Sequence, residues 1–164
     1  MLIQDFVQIE RRFDEVAAAL LADPAKVLYG AADTAYSQGE RLSMRLTPSL
    51  SHPRIGKRVH VDLGRPLRTD DRVVVPLHWW ASGATALFPR LDADLEIAPL
   101  GAQQTQLTLM GRYDPPFSVV GRHADSLLLH RVAEGCVRTF LTLVALRVGS
   151  AESPQSHAPR PLRG

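Results

Sequence analysis

Residues 123–147 read HADSLLLHRVAEGCVRTFLTLVALR, which is the longest uninterrupted helical pattern in the chain. At about 100° per residue, the apolar side chains fall on one broad side, and Arg131, Glu134 and Arg138 gather on the opposite side. The apolar arc spans roughly 200°, wider than the ~100° stripe that one flat contact requires. We therefore expect a concave sheet that partly wraps this helix. The spacing also predicts an ion pair between Glu134 and Arg138.

Most of the chain before this helix alternates between apolar and polar residues, as β-strands do. Residues 12–22 instead have helical spacing, and residues 25–37 allow a second short helix with a stop near Gly39. Because helices interrupt the strand run only near its start, the pattern predicts an α+β fold. The predicted strands are 2–10, 41–47, 58–63, 72–81, 90–98 and 104–113.

Residues at three places within or beside these strands carry local predictions. Pro76 cannot donate a ladder hydrogen bond, so its strand is expected to be an edge or to carry a bulge. Asp5 shares the apolar face of the first strand, and we interpret it as an end-of-strand residue that reaches solvent rather than a polar group in a cavity. Two prolines after Asp114 are expected to end the last strand.

The composition is that of a soluble globular protein, with 45% hydrophobic and 22% charged residues among 164. No apolar stretch reaches the ~18 to 20 residues of a membrane span. The first residues lack the positive charge and apolar run of a secretory signal, so the expected location is the cytoplasm. We expect a single domain at 1–148 and a disordered tail at 149–164, where Pro and Ser are frequent.

The sequence contains no pattern typical of a metal, cofactor or nucleic-acid site. Its net charge is only +2, and the basic residues are scattered, so nucleic acid is not an expected partner. A single cysteine, Cys136, excludes an internal disulfide and a multi-cysteine metal site, and it is expected to be a small buried hydrophobe. His52, His60 and His157 have no metal-ligand spacing with another histidine or a carboxylate, and the glycines form no phosphate-binding loop.

The order of elements resembles the helix-grip fold of the START-like superfamily, which includes polyketide cyclases, lipid-transfer domains and plant carriers of hydrophobic ligands. FDEVAAALLAD at 13–23 follows the first strand as a short helix with an acidic stop does in that group. LFPRLDADLEIAPLGAQQTQLTLMGRYDPP at 87–116, with LLHRVAE at 128–134, is similar to bacterial members. The resemblance covers residues 1–147. It implies a curved antiparallel sheet around a long C-terminal helix, with one or two short helices after the first strand.

Members of this superfamily bind apolar molecules between helix and sheet. A strongly bent sheet also touches a straight helix along one line only, which leaves space toward one end for side chains or a ligand. Simple core packing is the alternative for each candidate residue. The candidates are the inward sheet positions and the middle of the long helix: Val59, Val61, Trp79, Leu95, Leu107, Leu109, Val132, Cys136 and Phe140.

Three functions follow as hypotheses. The first is non-catalytic binding or transport of a hydrophobic small molecule, lipid-like or polycyclic. The second is a cyclase or dehydratase in which His78, Tyr113 or Arg112 transfers protons, which requires a titratable residue deep in the pocket beside a second polar group. The third is a protein-interaction module that docks a partner through an exposed Trp79 or Trp80.

Overall fold

The structure is a computed structural model that describes residues 2–46, 59–81, 90–114 and 126–150; the side chains of 39–46, 59, 81, 126–129 and 132 lie outside the description. The elements in chain order are β1 (Leu2–Ile9), α1 (Phe13–Ala22), α2 (Pro24–Leu46), β2 (Val59–Leu63), β3 (Leu67–Arg68), β4 (Val73–Ala81), β5 (Arg90–Pro99), β6 (Thr105–Asp114) and α3 (Ser126–Ser150).

All strand pairs are antiparallel and form one curved sheet in the order β1-β6-β5-β4-β2, with β3 also paired to β4. The helix α3 packs on this sheet, most closely against β1, and also packs on α2. This arrangement is the α+β helix-grip fold that the sequence predicts. Among the described residues, no helix is both long and apolar enough to cross a membrane.

Alternation along the strands sets the two faces of the sheet. On β5, Leu91 and Leu95 are buried on the inner face, whereas Asp92 and Asp94 are exposed on the outer face. β6 repeats this pattern, so the inner face becomes continuous across neighbouring strands. These inner residues and the buried sides of α1, α2 and α3 form one hydrophobic cluster. The core therefore lies between the inner face and the helices.

Asp23 joins α1 to α2. The residue follows the last helical residue of α1, and its Oδ1 accepts a hydrogen bond from the backbone N–H of Lys26 at 2.9 Å. This bond satisfies one of the free donors at the start of α2. Pro24 suits the first position of a helix because its missing N–H would have no partner there.

The predicted strand at 41–47 is wrong, because α2 continues through Gly39 to Leu46. The segment RLSMRL alternates as a strand does, but Leu42 and Leu46 are also four residues apart, as on one side of a helix. So short a run fits both periods, and the helix that starts at Pro24 decides between them. A glycine within a helix costs only about 1 kcal/mol relative to alanine, so Gly39 does not end it.

Pro76 lies in an internal strand with paired strands on both sides, so the expected edge is wrong. The register shifts by one residue between β2 and β3 beside Pro76, as it does at a bulge. β2 pairs with the second half of β4 and β3 with its first two residues, so the neighbouring strand is interrupted beside Pro76. The Pro76 carbonyl accepts the N–H of Gly64 at 2.8 Å in this gap. The Pro76 nitrogen faces the same gap, so its lack of a hydrogen removes no hydrogen bond to a paired strand.

The long C-terminal helix extends to Ser150, beyond both Arg147 and the domain boundary expected at 148. Its expected start between Ser118 and His123 lies outside the described residues, as do the predicted loop at 48–57 and the tail from 151 onward. The described part of β6 runs to Asp114, and the two prolines expected to end the strand lie outside the described residues.

Candidate ligand-binding site

One end of the sheet collects the connections between its elements. β2 and β5 begin there, and β4 and β6 end there, since the register pairs Val59 with Ala81 and Arg90 with both Trp80 and Asp114. The segments that join α2 to β2, β4 to β5 and β6 to α3 therefore all attach at this end. We call it the connection end.

A row of inner side chains crosses four strands at the connection end. Val61, Trp79, Leu91 and Tyr113 are direct cross-strand neighbours in the register. Trp79 is 3% and Tyr113 4% exposed, whereas Val61 at the end of the row is only half-buried. The row forms an apolar wall with one hydroxyl group.

The middle of α3 faces this wall. The rings of Trp79 and Phe140 meet edge to face, with centroids 5.3 Å apart and an angle of 80° between the planes. Burial raises the pKa of the Cys136 thiol to about 11. Burial, with a smaller contribution from Cys136, also raises the pKa of Tyr113 above its ordinary range. Both groups therefore stay protonated near neutral pH and cannot act as bases there.

The nine residues predicted to line a cavity fall into three sets. Four of them lie near the connection end: Val61, Trp79, Cys136 and Phe140. Val61 and Cys136 are half-buried, and Trp79 and Phe140 are buried. The side chains of Val59 and Val132 lie outside the description. The remaining three residues are 0% exposed within the hydrophobic cluster, farther from the connection end along β5 and β6: Leu95, Leu107 and Leu109.

The three residues predicted for proton transfer are not brought together. His78 and Arg112 lie on the outer face, where His78 Nδ1 pairs with Asp92 and Arg112 Nε pairs with Asp114 at 3.2 Å. The His78 side chain is 50% exposed and the Arg112 side chain 73% exposed. Tyr113 is the one member of the set that lies on the inner face.

The two tryptophans point to opposite faces. Trp79 faces the core, and Trp80 lies on the outer face with 37% of its surface exposed. The Trp80 ring stacks on His60 of the neighbouring strand, with centroids 5.7 Å apart and an angle of 17°. An outer-face contact of the kind the interaction hypothesis requires would therefore involve Trp80.

Asp5 differs from its expected role. It lies in the middle of β1, its side chain is 14% exposed, and its two oxygens accept hydrogen bonds from Nε and Nη2 of Arg138, each at 3.0 Å. The expected pair between Glu134 and Arg138 is also wrong, because Glu134 pairs with His130 at 3.0 Å. The acidic residue on the apolar face of a strand could have indicated a buried ion pair. Its partner could not be identified, because that depends on which turn of α3 crosses β1.

Among the described residues, no group of three or more His, Cys, Asp or Glu side chains is placed to hold a metal ion. The candidate site consists of apolar side chains, one hydroxyl and one thiol. Such a site can bury an apolar ligand, and it has few groups able to move a proton.

No protein-family model matches the sequence, and no curated protein matches it. Solved structures do show similar architecture. A conserved protein from Geobacillus kaustophilus aligns with a TM-score of 0.52 at 12% identity, over 90% of this chain and 95% of that one. This likeness shows a shared fold.

Two further structures align less well. A hypothetical protein from Helicobacter pylori gives a TM-score of 0.44 at 8% identity, over 87% of this chain and 86% of that one. The Zhui aromatase/cyclase from Streptomyces sp. R1128 gives 0.35 at 16% identity, over 90% of this chain and 93% of that one. Both scores lie below 0.5, so neither alignment bears on function.

Proposed function

We propose that this protein binds a hydrophobic small molecule, lipid-like or polycyclic, between the inner face of the sheet and α3 at the connection end, without catalysis. The observation that supports the proposal is the separation of chemistry between the faces. The inner wall is apolar apart from Tyr113 and Cys136, while His78 and Arg112 lie exposed on the other face. Membership of the START-like superfamily and a cytoplasmic location belong to this proposal.

Burial of apolar surface would supply most of the affinity. A ligand that buries about 300 Å² of apolar surface gains roughly 7 kcal/mol at about 25 cal/mol per Å², before the cost of immobilising it. The Val61 and Cys136 side chains are only half-buried, so the wall is more accessible here than at the fully buried Leu95. Tyr113 is the polar group on the wall that would orient a ligand oxygen.

The inner wall gives little support to the cyclase or dehydratase hypothesis. A base near neutral pH needs a pKa near the working pH, and the raised pKa values of Tyr113 and Cys136 move both groups away from it. The exposed pair of His78 and Asp92 lies across the sheet from the wall.

Native mass spectrometry of protein purified from its own host tests the proposal directly. A retained small molecule, together with a rise in melting temperature on adding oleate or 2-naphthol, is the expected result. Cys136→Trp should fill the site and remove the shift in melting temperature, since indole occupies the space beside the wall. His78→Ala is the matched control, and it should leave the shift unchanged.

Two results would overturn the proposal. One is the absence of any retained molecule and of any thermal shift across lipid and polycyclic probes. The other is a thermal shift that survives Cys136→Trp but disappears in His78→Ala, which would place binding on the outer face.

A further inference from the structure

An open groove of about 320 Å³ lies between β1 and α3, away from the inner wall. Grooves of this size are at the lower limit of ligand-binding sites. Its position is informative because β1 is an edge strand of the sheet that the described strands form. The lining residues are Ile3, Gln4, Asp5, Arg131, Glu134, Gly135 and Arg138.

Alternate backbone groups of β1 point away from the sheet. Just beyond the paired part of β5 and β6, the Leu100 N–H donates a hydrogen bond to the Gln104 carbonyl at 3.0 Å. Because bonded residues alternate along an antiparallel pair, the even-numbered residues of β6 bond to β5 and the odd-numbered ones bond to β1. By this alternation, the odd-numbered residues of β1 bond to β6, and Gln4, Phe6 and Gln8 present their N–H and C=O groups to the free edge. The Phe6 N–H bonds instead to Asp5 Oδ1 at 2.9 Å, which agrees with an outward direction.

Four charged side chains line the groove, two acidic and two basic. Asp5 pairs with Arg138, and Glu134 pairs with the imidazole of His130, which carries a charge only when it is protonated. Arg131 is exposed and forms no ion pair with any residue that the structure describes. Arg131 is therefore the lining cation that an added acidic group would meet.

The direction of α3 places that charge along β1. Arg138 contacts Asp5, and a Cβ on Gly149 would lie 3.9 Å from Ile9, so α3 and β1 run in the same direction. Arg131 precedes Arg138 by seven residues, or about 10 Å of helix. It therefore lies near the Leu2 end of the strand.

The outer side of the same edge exposes three large apolar side chains among polar ones. Leu2 is 82%, Phe6 57% and Met110 57% exposed. Met110 pairs with Gln4 in the register, so it lies diagonally between Leu2 and Phe6. An added strand would find apolar contacts on this side and the groove on the other.

A second copy of the chain fits this edge poorly. Continuing the sheet would place the two β1 strands about 4.8 Å apart. Because α3 packs most closely against β1, joining two β1 strands would also bring two copies of α3 close together across this edge. Packed helices need 8–10 Å between axes, so the edge favours a partner without a helix over its strand.

We propose that β1 binds an extended peptide segment of a partner protein, which adds antiparallel to its free edge. The segment would carry apolar side chains toward Phe6 and Met110 and an acidic group near its C-terminal end toward Arg131. Strand addition draws affinity from main-chain hydrogen bonds and specificity from alternate side chains. The peptide carbonyl would replace Asp5 Oδ1 as the acceptor for the Phe6 N–H.

The probe is a labelled nonapeptide in which valine and threonine alternate from an N-terminal valine, with glutamate in place of the threonine at the next-to-last position, so that the glutamate and the valines lie on opposite faces. Fluorescence anisotropy with the full chain should show saturable binding, with NMR shifts at the Gln4, Phe6 and Gln8 amides. Arg131→Glu should weaken binding at least tenfold and should make the chain prefer the same peptide with lysine in place of glutamate. Arg65→Glu, an exposed arginine at the other side of the sheet, is the matched control.

Gln8→Pro tests the backbone contribution, because it removes an outward N–H and keeps the bonds to β6. It should reduce binding at least tenfold while the circular dichroism spectrum stays unchanged. If this variant unfolds, the comparison of the glutamate and lysine peptides with Arg131→Glu tests the proposal instead. No binding at millimolar peptide, or binding that ignores Arg131→Glu, would overturn the proposal. So would a dimer in sedimentation that Gln8→Pro abolishes, since a second copy would then occupy the edge.

Discussion

The two faces of the sheet use the same alternating pattern for different purposes. Trp79 on the inner face is buried against Phe140, whereas its neighbour Trp80 on the outer face is 37% exposed and stacked on His60. Buried apolar contacts of the first kind stabilise a fold by several kcal/mol, whereas exposed pairs contribute about 1 kcal/mol or less. Stability and the proposed ligand site therefore share the inner face.

Polar side chains show the same contrast between partly buried and exposed positions. The side chain of Arg11 is 17% exposed and donates hydrogen bonds to the carbonyls of Val148, at 2.9 Å, and Gly149, at 3.2 Å, near the end of α3. Arg112 on the outer face is 73% exposed and pairs only with its strand neighbour Asp114 among the described contacts. A partly buried cation that satisfies helix carbonyls has a structural role that an exposed ion pair lacks.

Replacing the two tryptophans singly should give the largest difference between the faces. Trp79→Ala is expected to lower the free energy of unfolding by about 3–5 kcal/mol, because it leaves a cavity in the core. Trp80→Ala should lower it by less than about 1 kcal/mol, because its ring is partly solvated. Urea unfolding followed by circular dichroism measures both, and equal losses would contradict the assignment of faces.

The two arginines offer a smaller test. Arg11→Ala should lower the free energy of unfolding by about 1.5–3 kcal/mol, since the carbonyls at the end of α3 lose a charged donor. Arg112→Ala should change it by less than about 0.5 kcal/mol. The same urea experiment compares them, and a cost for Arg112→Ala as large as that for Arg11→Ala would show that outer-face ion pairs matter more than their exposure suggests.

Cys136 should affect stability only in alkaline solution, through the pH dependence of unfolding. Its folded-state pKa of about 11 lies above the ordinary thiol value of 9.0, so the folded chain keeps a proton that the unfolded chain loses. Stability should therefore be fully present below pH 9 and decline as pH rises toward 11. Cys136→Ala should flatten this decline, although Tyr113 adds a loss of the same sign above its ordinary value of 10.0.

Alkylation provides an independent measurement at this residue, since the chain has one cysteine. The thiolate is the reactive form, so the raised pKa predicts a rate roughly tenfold lower in the folded chain than in urea at pH 8, after the higher nucleophilicity of the less acidic thiol is taken into account. Equal rates in both states would show that the thiol is not held in an apolar environment.

Local alternation made much of the sheet predictable from sequence. β5 and β6 place charged or polar residues opposite apolar ones at most positions, so the prediction that Leu95 and Leu109 lie on the inner face is confirmed. β4 was ambiguous because both sides of RVVVPLHWWA are apolar. Only the pairing of β4 with β5 decides that Trp79 faces inward and His78 outward.

The remaining features depend on tertiary position. RLSMRL satisfies helix and strand periods equally, so the extension of α2 could not be read from it. The pair of Asp5 and Arg138 requires knowing that α3 crosses β1 at that turn, which no local pattern contains. The same holds for the groove beside β1, whose residues come from two ends of the chain.

The most direct test of the central claim uses each tryptophan as a separate reporter. The chain has two, so Trp80→Phe leaves only the inner Trp79 and Trp79→Phe leaves only the outer Trp80. Titration with oleate or 2-naphthol should change the emission of the Trp79 reporter, saturably, and leave the Trp80 reporter unchanged. A saturable change confined to Trp80, or none at either position, would contradict binding on the inner face.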